Sequence, residues 1–165
     1  MLKTTPKETF MESLNPIMKI AVNEAILGME NNEGGPFGAV ILCEGNIVSR
    51  AHNEVLKTND PTAHAEINAI RKASHLLGRF NLSDCILYTT CYPCPMCMGA
   101  IFWARIPTVY YGATMKDAAM GGFDDTKFYT MIRNPEQALD LHPIDVEKTK
   151  LLFEKWQKKS NRILY

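Results

Sequence analysis

Apolar residues return along this chain at two different spacings. Phe10, Leu14, Ile17, Ala21 and Ala25 recur at steps of three and four, the stripe of an amphipathic helix, with Pro16 marking its kink or true start. Gly34-Gly35-Pro36 closes that segment as a loop. Phe37 to Cys43 and Ile47 to Ala51 read as strands joined by the turn residues Glu44-Gly45-Asn46. Asp60-Pro61 combines an N-cap residue with a first-turn proline, so a helix is expected from there, burying Ala63, Ile67 and Ile70. The unbroken run Cys85 to Thr90 predicts a strand buried on both faces. Pro93 then opens an apolar helix to Arg105, Thr108 to Gly112 returns as a strand, and Val146, Phe153, Trp156 and Ile163 trace a terminal helix. A hairpin followed by strand–helix–strand predicts an α/β domain with a mixed sheet.

Composition narrows the function. The 165 residues, 46% of them apolar, suit one domain with a sizeable core, expected to span 1–165. Eighteen basic residues balance eighteen acidic ones, so no basic field draws in nucleic acid. The opening MLKTTPKETFMES carries no apolar run of the signal-peptide kind, and no stretch reaches the ~18 apolar residues of a membrane span; the expectation is a cytoplasmic protein.

Of five cysteines, three crowd into Cys91, Cys94 and Cys97, which suggests metal more than a disulfide framework. Cys94 and Cys97 lie three apart at a helix start, where the free N–H groups favour thiolate. Two thiolates with the imidazole of His64 suit one zinc ion per chain and leave a fourth position open for a water, whose pKa the metal lowers. Glu66, two residues beyond His64, is placed to move protons rather than to bind metal. H-x-E followed by P-C-x-x-C is a zinc-deaminase signature. A redox C-x-x-C pair is the bland alternative, and a closed Cys91/Cys94/Cys97/His64 structural site the sharper one. Pro93 argues against the latter, since it biases Tyr92 to extended backbone and leaves Cys91 on the strand exit.

With GGPFGAVI (Gly34–Ile41), NDPTAHAEINAIRKA (Asn59–Ala73), PCPMCMGAIFWAR (Pro93–Arg105) and GGFDD (Gly121–Asp125), the chain resembles the cytidine-deaminase superfamily, and within it the small bacterial-type guanine deaminases. The resemblance runs from about Gly34 to Asp125. It implies a three-layer α/β/α sandwich around a mixed five-stranded sheet, a homodimer, and hydrolysis of guanine to xanthine and ammonia by a zinc-bound hydroxide. It also implies His64, Cys94 and Cys97 as zinc ligands and Glu66 as the catalytic proton shuttle. Phe37, Asn53 and Asp125 would bind the purine. Taken alone, Phe37 reads as core, Asn53 as a strand-end turn residue, and Asp124 or Asp125 as a helix cap; only the resemblance favours Asp125. Tyr92 departs from the family, where glutamate usually precedes the proline.

In these relatives the C-terminal segment covers the site, so residues 147–165 are expected to form a helix and a lid ending on Tyr165. Six basic residues against two acidic ones in that stretch read as the solvated face of a helix burying Phe153 and Trp156, ahead of a nucleic-acid surface. The rival functions are deamination of another base or nucleoside (guanosine, cytosine, a triazine), a tRNA adenosine deaminase, and a non-catalytic structural-zinc module. Cys43, Cys85, His52, His75 and His142 receive no chemistry.

Overall fold

The computed structural model describes residues 14–165; Phe10, the first position of the predicted stripe, lies outside them. The chain divides into two compact units, the first ending at Asp125 and the second covering Thr126–Tyr165.

In the first unit, α1 (Pro16–Glu30) begins at Pro16 itself. The Asn15 side chain caps it, accepting from Ile17 N at 2.9 Å and Met18 N at 3.3 Å. β1 (Gly38–Cys43) and β2 (Asn46–His52) form the expected hairpin, and the turn residues Glu44 and Gly45 both have positive φ (52° and 80°), as two-residue hairpin turns require. α2 (Val55–Thr58) is a single turn, α3 spans Ala65–Leu77, β3 Cys85–Cys91, α4 Pro95–Trp103, β4 Thr108–Ala113 and α5 Met115–Met120.

The strands form one mixed sheet in the order β2-β1-β3-β4, with β1 antiparallel to both β2 and β3, and β3 parallel to β4. Alternation along β1 separates two faces. Ala39, Ile41 and Cys43 join Ala65, Ala69, Ala73, Leu87 and Ile101 in the core beneath α3 and α4. Gly38 lies on the other face against α1, where a Cβ at this position would collide with the Ala21 carbonyl oxygen. Helices on both faces make the expected three-layer sandwich.

Several boundaries and counts differ from expectation. Four strands are present among the described residues rather than five. After β4 the chain enters α5 at once, because Thr114 and Asp117 form a reciprocal capping box. β3 is not buried on both faces: Cys85, Leu87, Thr89 and Cys91 are buried while Tyr88 stacks on Tyr110 of β4 at 4.8 Å. The helix foreseen from Asp60 starts at Ala65, since the Asp60 carboxylate accepts from Thr62 N at 2.8 Å and Oγ1 at 2.7 Å and closes a local turn instead. The apolar helix likewise starts late, with Cys94 as its N-cap.

The second unit contains α6 (Thr126–Arg133), a 3-10 turn at Pro135–Gln137, and α7 (Val146–Lys158). Lys150 pairs with Glu147 at 2.6 Å along α7, and Lys159 lies over the Trp156 ring at 5.4 Å. Phe153 and Trp156, expected to be buried, are 71% and 38% exposed in the single chain. Among the described residues no helix is long and apolar enough to cross a membrane.

Candidate metal and active site

Two helix starts and one strand end build the site. His64 is the N-cap residue of α3 in extended conformation (φ −71°, ψ 156°), and Cys94 is the N-cap of α4 (φ −64°, ψ 166°). Neither side chain caps its own helix, so both are free to turn toward each other. His64 Nδ1 lies 3.5 Å from Cys94 Sγ and 3.6 Å from Cys97 Sγ. The ligand atoms of all three residues fall within 4.8 Å of one another. Tetrahedral zinc, with Zn–S and Zn–N bonds of about 2.3 and 2.0 Å, separates its sulfur and nitrogen ligands by about 3.6 Å. The donor set and its spacing therefore fit a zinc ion. Cys91 stands apart at the end of β3, its Sγ 3.7 Å from the Thr114 carbonyl, and is not in this group.

Without metal the cysteines share a proton unequally. The Cys97 hydrogen bond, followed by that of His64, pulls Cys94 down to about 4. The same contact with Cys94, added to burial, pushes Cys97 up. Contact with Cys94 also raises the His64 imidazole.

Glu66 lies in the first turn of α3, 5% exposed, and burial pushes its carboxyl up from the ordinary glutamate value. Its Oε1 accepts from Thr89 Oγ1 at 2.9 Å, and its Oε2 lies 3.4 Å from Cys97 Sγ. A carboxyl held between a strand hydroxyl and a metal-type sulfur can carry protons within the site without itself joining the ligand set. Sequence reasoning missed Thr89; only its pairing on β3 opposite Ala39 of β1 puts its hydroxyl beneath α3.

The base-binding candidates occupy the adjoining loops. Asn53 follows β2 and is 5% exposed; its Oδ1 accepts from Val55 N at 3.1 Å, leaving Nδ2 as the end available to a base. A Cβ on Gly34 would collide with Asn53 Oδ1 and its carbonyl oxygen, so the glycine loop lies directly on this side chain. Phe37 packs partly against the core and meets Phe123 edge-on at 4.9 Å. Asp125 is half-buried, and burial, then the nearby Cys94, pushes its carboxyl up while His64 pulls the other way. The field of Asp125 therefore reaches the His64/Cys94 group. Tyr165 lies in the second unit.

His52, which carried no role in the sequence, clamps these loops. Its Nε2 lies 2.6 Å from Glu33 Oε2 and its Nδ1 3.4 Å from Glu24 Oε2. Gly28 makes room for the ring, since a Cβ there would lie 2.5 Å from His52 Cδ2. Lys57 binds Glu33 at 3.1 Å and Glu54 at 3.0 Å, and Asn68 Nδ2 donates to the His52 carbonyl at 3.1 Å. The signal in the sequence was faint: carboxylates at 24, 33 and 54 show no periodicity that would gather them on one histidine.

The chain matches the family model for the cytidine and deoxycytidylate deaminase zinc-binding region over residues 11–113. It is 46% identical over 150 residues to a guanine deaminase of Bacillus subtilis (strain 168), covering 90% of this chain and 96% of that protein. It is 36% identical over 151 residues to a tRNA-specific adenosine deaminase of Aquifex aeolicus (strain VF5), covering 89% of this chain and 96% of that one. The X-ray structure of guanine deaminase from Bacillus subtilis superposes with a TM-score of 0.87 at 45% identity, over 92% of this chain and 99% of that chain. With the His64, Cys94 and Cys97 donors gathered inside the matched region, this chain belongs to the cytidine and deoxycytidylate deaminase family of zinc-binding proteins.

Proposed function

We propose that this chain is a zinc-dependent aminohydrolase that converts guanine and water to xanthine and ammonia. The observation that carries the reaction class is Glu66, buried at hydrogen-bond reach of Thr89 and beside Cys97. A structural site has no need of such a carboxyl. His64, Cys94 and Cys97 would hold the zinc ion, which when bound supplies a Lewis acid that makes a water nucleophilic near neutral pH. Glu66 takes the proton that this water must lose. It passes it to the ring nitrogen next to the carbon under attack, and then serves the departing amine, so that ammonia leaves.

Guanine is favoured over other bases by the acceptor character of Asp125. An ionised carboxylate matches the ring N–H and exocyclic amine of guanine, whereas the bare N1 of adenine is itself an acceptor. Asn53 Nδ2 would donate to a carbonyl or bare ring nitrogen of the base, and Phe37 would close one face of the ring. The full-length similarity to the Bacillus guanine deaminase supports the same choice, as does the absence of net charge, which offers no attraction to tRNA phosphates. Tyr165 and the segment from Glu147 would serve as the lid of one deaminase domain. The chain would act as a cytoplasmic homodimer.

Ammonia release from guanine, guanosine, adenine, cytosine and a tRNA anticodon stem-loop tests the assignment. Guanine should be turned over fastest. Activity on adenine with none on guanine would overturn the role of Asp125, and activity confined to the stem-loop would move the chain to the tRNA-acting relatives.

A further inference from the structure

At the opposite end of the sheet lies a second thiol cluster. Cys43 ends β1 and Cys85 begins β3, and the two are direct partners across the antiparallel pair. Directly opposed residues have Cα atoms about 4.5–5.5 Å apart, inside the range that a disulfide spans. Cys43 Sγ, Cys85 Sγ and an Asp84 oxygen lie within 4.8 Å of one another. The site's own strand residue, Thr89, is four positions along β3 from Cys85, about 13 Å at strand rise, so this cluster is separate from the zinc ligands.

The polar partners favour thiol chemistry over a second metal. Arg79 Nη2 donates to Asp84 Oδ2 at 2.7 Å and to Cys43 Sγ at 3.3 Å, while its Nη1 holds the Asn81 carbonyl at 2.9 Å. The cationic position beside the Asp84 carboxylate is therefore already filled, and a divalent ion would have to displace a guanidinium held at three points. Cys43 Sγ itself donates to Asp84 Oδ2 at 3.3 Å, so a carboxylate stands ready to take its proton. Cys85 Sγ lies 3.6 Å from Asp84 Oδ1 and is fully buried, and burial pushes its thiol up to about 12. Cys43, with a proton acceptor at hand, is thus the sulfur that meets an oxidant, and Cys85 is its buried partner. Cys43 retains 7% exposure, and the side chains over it, Arg79 and Asp84, are 38% and 43% exposed, which admits a small oxidant.

We propose that Cys43 and Cys85 form a reversible intramolecular disulfide on exposure to a hydroperoxide. The Cys43 sulfur attacks one peroxide oxygen while its proton passes by way of Asp84 to the leaving oxygen; the S–O bond forms, the S–H and O–O bonds break, and water leaves. Cys85 sulfur then attacks Cys43 sulfur; the S–S bond forms and the S–O bond breaks. The departing hydroxide takes up the Cys85 proton as water. Two thiols are oxidised and one peroxide is reduced to two waters. The bond would link β1 to β3 far from Glu66, so turnover is expected to be unchanged in the oxidised protein.

Mass spectrometry of the zinc-loaded full chain treated with stoichiometric hydrogen peroxide tests this. The expected result is a loss of 2 Da, roughly one hydrogen per thiol, with Cys43 and Cys85 cross-linked in the digest and released by dithiothreitol. Cys85→Ser should instead trap a dimedone-reactive sulfenic acid at Cys43. Three results would overturn the proposal: no mass loss while deamination survives, a cross-link through Cys91, Cys94 or Cys97, or a second retained zinc equivalent that protects both thiols.

Discussion

At the scale of single residues, this protein's chemistry rests on side chains whose surroundings change what they do. Glu66 is an ordinary glutamate in sequence and a raised, buried carboxyl in the fold, with Thr89 on one oxygen and Cys97 near the other. Glu66→Gln keeps the shape and removes the proposed proton carrier. Zinc content by elemental analysis should stay unchanged while kcat on guanine falls by about 10²–10⁴-fold; a variant of near-normal kcat would remove Glu66 from the mechanism. Glu33 is shifted in the opposite direction and supports a prediction about pH. Its hydrogen bond to His52, then that to Lys57, holds its carboxyl below the usual glutamate value. A depressed carboxylate contributes stability that is complete above its unfolded pKa and is lost as pH falls through the lower folded value. Denaturant titrations on the acid side of about pH 4.5 should therefore show wild type weakening relative to Glu33→Gln. Parallel curves would refute it.

Elements place these residues through backbone rules as much as through side chains. His64 and Cys94 both occupy N-cap positions, so these candidate ligands project from helix starts rather than from helix faces. C-x-x-C spacing showed which cysteines belong together, yet the helix expected from Asp60 begins at Ala65 because the Asp60 turn takes precedence. The seam between α1 and β1 depends on Gly38, whose missing Cβ lets the Ala21 carbonyl approach. Gly38→Ala should cost about 3 kcal/mol or more in chemical denaturation. An unchanged midpoint would mean that α1 can shift away without cost.

On the scale of the molecule, a metal would join segments thirty residues apart, tying α3 to α4 at their N-terminal ends. Removing it with a strong chelator should abolish deamination and lower Tm together, and zinc should restore both, because binding to the folded donors alone is stabilising. Loss of activity without a change in Tm would show that α3 and α4 hold their places unaided. The tail belongs to this scale as well. Deleting Ile163–Tyr165 should lower kcat/KM for guanine with zinc content unchanged; full efficiency in the truncated chain would end the lid proposal.

The sequence by itself determined the reaction-bearing motifs, the mixed α/β order of elements and the hairpin turn, because each depends on spacing or local conformation within a few residues. His-x-Glu and Cys-x-x-Cys are short-range patterns of this kind, and Glu44-Gly45 needs only its own φ angles. Tertiary structure decided which distant groups share a neighbourhood. It set Thr89 beneath Glu66, brought Asp125 within the field of Cys94, gathered Glu24 and Glu33 on His52, and paired Cys43 with Cys85. None of these follows from periodicity. Each depends on strand register and on which face of the sheet a helix covers, and those are settled only when the whole core packs at once.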